Sequence, residues 1–223
     1  KDRLRRLSAR HHQAPHDGRS RRGPPALGYR PLDPLPEHSL AQRVHAVAVR
    51  PRLLARERVE LSGPEDPASK QPYHAVESLP VEEAARTLPS FRADAERRAY
   101  DVLARVLPTL AGEGRRIAGV GILDSAGRRG ASLEATLASH ALIHAADGDH
   151  FREAIAAAAE RRGLRVMRVR TRELEEQAAA AVGQPPEVLR ETLQALRRGA
   201  GPPWGADQKA AALLAWLVLR SAQ

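Results

Sequence analysis

The sequence predicts an α/β fold: a single domain with a small mixed sheet flanked by helices and a helix-rich C-terminal half. Three observations carry this. Residues 43–49 (RVHAVAV) alternate and are rich in Val, the pattern of a half-buried strand. Residues 117–123 (IAGVGIL) form a continuous apolar run, as expected of a strand buried on both faces. Around and after them, apolar residues recur at the 3.6-residue spacing of amphipathic helices. At 223 residues the chain is long enough for one such domain with a real core.

The formal charge is +9, with nine histidines counted as neutral. Residues 1–30 hold nine basic side chains against Asp2 and Asp17, a net +7, which leaves +2 for everything after them. The basicity thus belongs to a tail. Residues 1–37 mix Arg, His, Pro, Gly and Ser without apolar periodicity, so a disordered basic tail is expected there, with the domain spanning 38–223. Such a tail suits a nucleic-acid partner, or is simply solvated. The chain has no cysteine, which excludes disulfides, zinc knuckles and thiol catalysis. No apolar run is long enough for a membrane helix and no secretory h-region opens the chain, so no membrane partner and a cytoplasmic location are expected.

In chain order, residues 43–49 and 57–61 are expected to pair as a hairpin. Residues 62–75 (SGPEDPASKQPYHA) read as a Pro-rich loop in which Lys70 could contact a ligand, with Ser69, Tyr73 and His74 nearby. A helix starts at Pro80, Pro89 should break it, and Ser90 should cap a second helix to about Leu110, its buried stripe being Ala95, Ala99, Val102, Val106 and Leu110. The strand 117–123 leads through DSAGRRG into the helices. That loop lacks the Gly-Lys-Ser/Thr ending of a phosphate loop and is weak as a nucleotide motif. A further strand is expected at 165–169. Three helices follow, opened by Thr171, by Pro185-Pro186-Glu187 and by Asp207; the last is apolar nearly all round and should be covered on most sides.

The densest chemistry lies within 131–169, read as helix, polar turn, helix, strand. His140 and His144 are four residues apart, so they leave one helix face one turn apart and could ligate one ion. Asp147, expected just past the helix end, could add a carboxylate, and Glu153 another, a set suited to a divalent ion. The plainer reading makes Asp147 or Asp149 the cap of the next helix, Asp147-Gly148 a turn, and the histidines residues of a helix end. Asp207 likewise reads as a cap of the last helix, and Lys209 as an anion contact.

From Ala131 onwards the order of elements resembles the second half of the RuvC-type Holliday-junction resolvases of the ribonuclease H-like superfamily. The residues that carry it are the strand 165–169, Arg170-Thr171-Arg172-Glu173-Leu174 opening a helix, a Leu-rich helix, a Pro-Pro linker, and Ala206-Asp207-Gln208-Lys209 opening an Ala/Leu helix. The resemblance implies a mixed sheet flanked by helices and acidic residues that bind divalent ions for phosphodiester cleavage. It makes Asp207 a metal ligand and Asp147 a further acidic one. The first strand of such enzymes carries an Asp and residues 43–51 have none, so the chemistry is either absent or rebuilt with His140 and His144.

The sequence therefore points to a metal-dependent phosphodiesterase or nuclease-like protein using Mg, Mn or Zn. Its catalytic residues would be Asp147, Asp207 and Lys70, and its metal ligands His140, His144, Asp147 and Asp207. The alternative is a non-catalytic ribonuclease H-like module that binds a protein or nucleic-acid partner, with capping and packing explaining every polar residue.

Overall fold

The computed structural model describes residues 40–47, 50–124, 130 and 132–222, with side chains from residue 51 onwards. All of them belong to one unit that begins at Pro36. The expected basic tail and the DSAGRRG loop (125–129 within it) lie outside the described residues.

The protein is an α/β domain with mixed strand pairing and a helix-rich C-terminal half. Strands β1 (Leu40–Val47) and β2 (Arg50–Arg58) pair antiparallel from Leu40↔Arg58 to Val47↔Arg50, with an irregularity between Arg43 and Val44. The second strand thus begins earlier than expected, and residues 51–56 lie within β2. Strands β3 (Val120–Asp124) and β4 (Val166–Arg170) pair in parallel, Ile122 opposite Arg168. These are two separate two-stranded sheets, one antiparallel and one parallel.

Between β2 and β3 lie a 3₁₀ turn (Pro67–Lys70), the one-turn helix α1 (Pro72–Ala75) and the long α2 (Val81–Gly112). The Pro-rich segment is thus folded. Asp66 caps its 3₁₀ turn, accepting from the Ala68 N–H at 3.0 Å. The buried Ser69 hydroxyl accepts from the Gly63 N–H at 2.7 Å and donates to the Asp66 carbonyl at 2.6 Å. Helix α2 runs through both Pro89 and Pro108. The expected break and the Ser90 cap are absent; the Ser90 hydroxyl donates back to the Thr87 carbonyl at 2.8 Å. Proline opposes an interior turn, but Ala84, Ala95 and Ala99 stay buried along the helix, and tertiary packing overrides the local preference.

Past β3 come α3 (Leu133–Leu137), capped by Ser132 on the Ala135 N–H at 3.1 Å, and α4 (His140–Arg161). The chain then continues through β4, a 3₁₀ turn (Thr171–Glu173), α5 (Leu174–Val182), α6 (Pro186–Ala200) and α7 (Ala206–Arg220). Two apolar clusters hold these elements. One joins Val169, Leu174, Ala178, Leu189 and Leu193 to Leu213, Leu214, Trp216, Leu217 and Val218 of α7, with Trp204 packed against it. The other joins Val59 and Leu61 to Ala95 and Ala99 of α2 and to Phe151, Ala154 and Ala158 of α4.

Helix α7 lies against β1, β3, α5 and α6, the coverage its apolar surface requires. Gly121 makes its approach to β3 possible, since a Cβ there would lie 2.6 Å from Leu214 Cγ. Glycine in this strand therefore serves packing. Arg168 of β4 ties α4 to the parallel pair, its guanidinium donating to Glu153 at 2.6 Å and Asp124 at 3.3 Å. No helix among the described residues is long and apolar enough to cross a membrane.

Candidate metal centre

The segment read as helix–turn–helix is one helix from His140 to Arg161, with Asp147, Gly148 and Asp149 in its interior. Asp-Gly is ordinary turn chemistry, and an interior glycine costs about 1 kcal/mol against alanine. Burial of Ile143, Asp147, His150 and Phe151 on either side of it offsets that cost. Neither aspartate is a cap, and His140 opens the helix instead of ending one; the chain breaks earlier, at Ser139.

Continuity puts His140, His144 and Asp147 on one face, because positions i, i+4 and i+7 fall within about one-sixth of a turn at 3.6 residues per turn. That face looks towards α1, which packs on α4 and brings His74 with it. The His140 and His144 Nε2 atoms lie 3.0 Å apart. The His74 ring stands 5.2 Å from that of His140 and 4.4 Å from that of His144, centroid to centroid. One nitrogen from each of the three falls within 4.8 Å of the others, so the cluster is a three-histidine arrangement capable of coordinating a divalent metal. Two nitrogens on a tetrahedral zinc at roughly 2.0–2.1 Å are about 3.3 Å apart, so the His140–His144 pair is already near that spacing.

Asp147 stands behind the cluster. Its Oδ2 meets His74 Nδ1 at 2.5 Å and its Oδ1 accepts from the Tyr73 N–H at 2.7 Å. The residue is only 6% exposed. Burial pushes its carboxyl above the ordinary range, and the hydrogen bonds from His74 and Tyr73 oppose that shift. His140 and His144 are exposed and His74 is half-buried, so an ion held here would face solvent.

The remaining residues singled out in the sequence lie elsewhere. Glu153 points to the opposite side of α4 and binds Arg168. Asp207 is exposed in the first turn of α7, and among the described residues no metal-capable group includes it. It is not the cap of that helix: Gly205 takes that place, its N–H donating to Gln208 Oε1 at 2.7 Å. Lys70 is exposed at the end of the 3₁₀ turn, four residues before His74. Lys209 lines a groove with Arg190, Glu191 and Gln194 of α6. Sequence reasoning noticed His74 beside Lys70 but did not join it to His140. The available signal was a histidine just after Pro72-Tyr73 in a segment dense in turn formers.

No family model matches the chain, and neither a curated protein nor a solved structure is detectably similar to it.

Proposed function

We propose that the protein is a metal-dependent hydrolase of phosphodiesters in nucleic acid, with the ion held by His74, His140 and His144. The observation that carries the reading is the cluster itself: three imidazoles from two elements converge with a carboxylate behind one of them. An all-nitrogen donor set favours zinc-class ions over magnesium, which takes oxygen ligands. Three protein ligands leave a position for water or substrate, as in catalytic zinc sites. Bound there, such an ion supplies Lewis-acid activation of water and stabilises charge developing on a phosphoryl oxygen.

The site lies at the surface, which suits an extended polymer more than an enclosed small molecule. The net +7 of residues 1–30 suits a polyanion. In this reading Lys70 contacts a phosphate, and Asp207, exposed in the first turn of α7, stands outside the three-histidine ligand set.

The test is cleavage of single- and double-stranded nucleic acid by the full chain with zinc, manganese or magnesium. His140→Ala and His74→Ala should each lower the rate by about 100-fold or more, at least the cost of losing an outer-shell partner of a metal. Lys70→Ala and Asp207→Asn then sort the two outlying residues: unchanged rates remove them from the site. Zinc uptake without cleavage of any nucleic acid would refute the hydrolase and favour a non-catalytic binding module.

A further inference from the structure

The carboxylate behind the cluster has a job that the three histidines cannot do for themselves. Imidazole has two nitrogens, and an ion can use only one that carries no proton. Which nitrogen that is depends on the hydrogen bond made by the other. For His74 the other partner is Asp147 Oδ2, 2.5 Å from Nδ1. A carboxylate only accepts, so it calls for the proton on Nδ1 and leaves Nε2 bare. The second oxygen of the same carboxylate accepts from the Tyr73 N–H at 2.7 Å, one residue earlier on α1. A single buried group on α4 therefore fixes both the backbone of α1 and the ring it carries.

Resting on the metal-centre reading above, we infer that Asp147 is the positioning residue of this centre: it holds α1 against α4 and keeps His74 in the Nδ1–H form, so that Nε2 is presented to the ion. Asp147 is then no ligand itself, since both of its oxygens are engaged by α1. Its place on the face of His140 and His144 lets one helix supply two ligands and the orientation of the third. The arrangement is the carboxylate–histidine–metal relay found where a protein must choose a ligand tautomer in advance.

The isosteric Asp147→Asn substitution separates this role from simple packing. The Tyr73 N–H cannot change its chemistry, so it takes the amide oxygen. The amide NH₂ then faces His74 Nδ1, which must become the acceptor, and the proton moves to Nε2. Shape is retained while the wrong nitrogen is bared.

The experiment pairs zinc titration of the full chain against a chromophoric chelator with ¹⁵N NMR of the imidazole nitrogens in the metal-free protein. The wild type should show His74 protonated at Nδ1, and Asp147→Asn should show it protonated at Nε2 and bind zinc about 10–100-fold more weakly. Asp147→Ala should weaken zinc similarly, whereas His74→Ala should weaken it further by removing a ligand. Zinc affinity in Asp147→Asn within twofold of wild type, or a wild-type His74 protonated at Nε2, would overturn the inference. The wild-type spectrum decides between the two tautomers even if the variants do not fold. Tight zinc binding with the expected tautomers but no hydrolysis would remove the hydrolase and leave the positioning role standing.

Discussion

One face of α4 carries two different surfaces. Over its first turns it shows His140, His144 and Asp147; farther along, at the same angular position, it shows Phe151, Ala154 and Ala158. The apolar half is covered by α2 together with Val59 and Leu61, and it builds the second core cluster. The polar half meets α1, a single helical turn, which buries Asp147 and leaves His140 and His144 exposed. A helix stripe facing another element is normally apolar along its whole length. Burying a carboxylate on such a stripe costs free energy unless its hydrogen bonds are made. Both bonds are made here, and both go to α1. The contrast marks where packing ends and site chemistry begins on a single helix.

The largest effect should come from the apolar half. Phe151 is 2% exposed, and Phe151→Ala should lower stability by about 3–5 kcal/mol in denaturant unfolding. A loss under about 1 kcal/mol would mean this half is no better packed than the polar one, and the contrast would fail. Next comes the polar half. With zinc at about 100 times its dissociation constant, the wild-type midpoint should rise by the equivalent of about 2.7 kcal/mol. In His144→Ala that gain should vanish, while the metal-free protein stays within about 0.5 kcal/mol, as for most exposed positions. An equal loss with and without zinc would make His144 a packing residue.

The smallest effect concerns an ion-pair cluster on α2 beside Gly63. Partial burial raises the Asp94 carboxyl, but hydrogen bonds and charge from Arg98 (Nε at 2.7 Å) and Arg97 (Nη2 at 2.5 Å) outweigh it and bring its pKa below 3.8. A lowered carboxyl adds stability that is present above its unfolded value and is lost as pH falls through the folded one. Wild type should therefore exceed Asp94→Asn at neutral pH by less than about 1 kcal/mol, since the pair is solvent-screened. Acid unfolding should bring the two curves together below about pH 4. A gap that persists at pH 2 would assign the difference to packing.

Local signals made part of this legible. The helical spacing of His140 and His144, the Val-rich strand start, the apolar run around Ile122 and the Pro185-Pro186 helix start all reflect short-range patterning, and the corresponding elements form close to where the sequence put them, although of that run only Ile122 is fully buried. Other features depend on tertiary contacts. Pro89, and Asp147 with Gly148, read as breaks because their backbone preferences oppose helix, yet the burial of α2 and α4 against each other overrides them. His74 meets the α4 histidines only after α1 docks, a contact that no spacing rule contains. Reading Asp147 as a cap also hid its alignment with the histidines, since a helix thought to end there has no face to continue.

The ligand pair on α4 and the single ligand on α1 are separated in sequence by all of α2 and β3. An ion shared between them would close that whole stretch into a ring. In a chain without cysteine it would be a removable cross-link, set by metal supply instead of redox state. Opening it would not unfold the α2–α4 core. Asp147 would still tie α1 to α4, so losing the ion would remove one of two ties on the Pro72–Ala75 arm and leave the other in place.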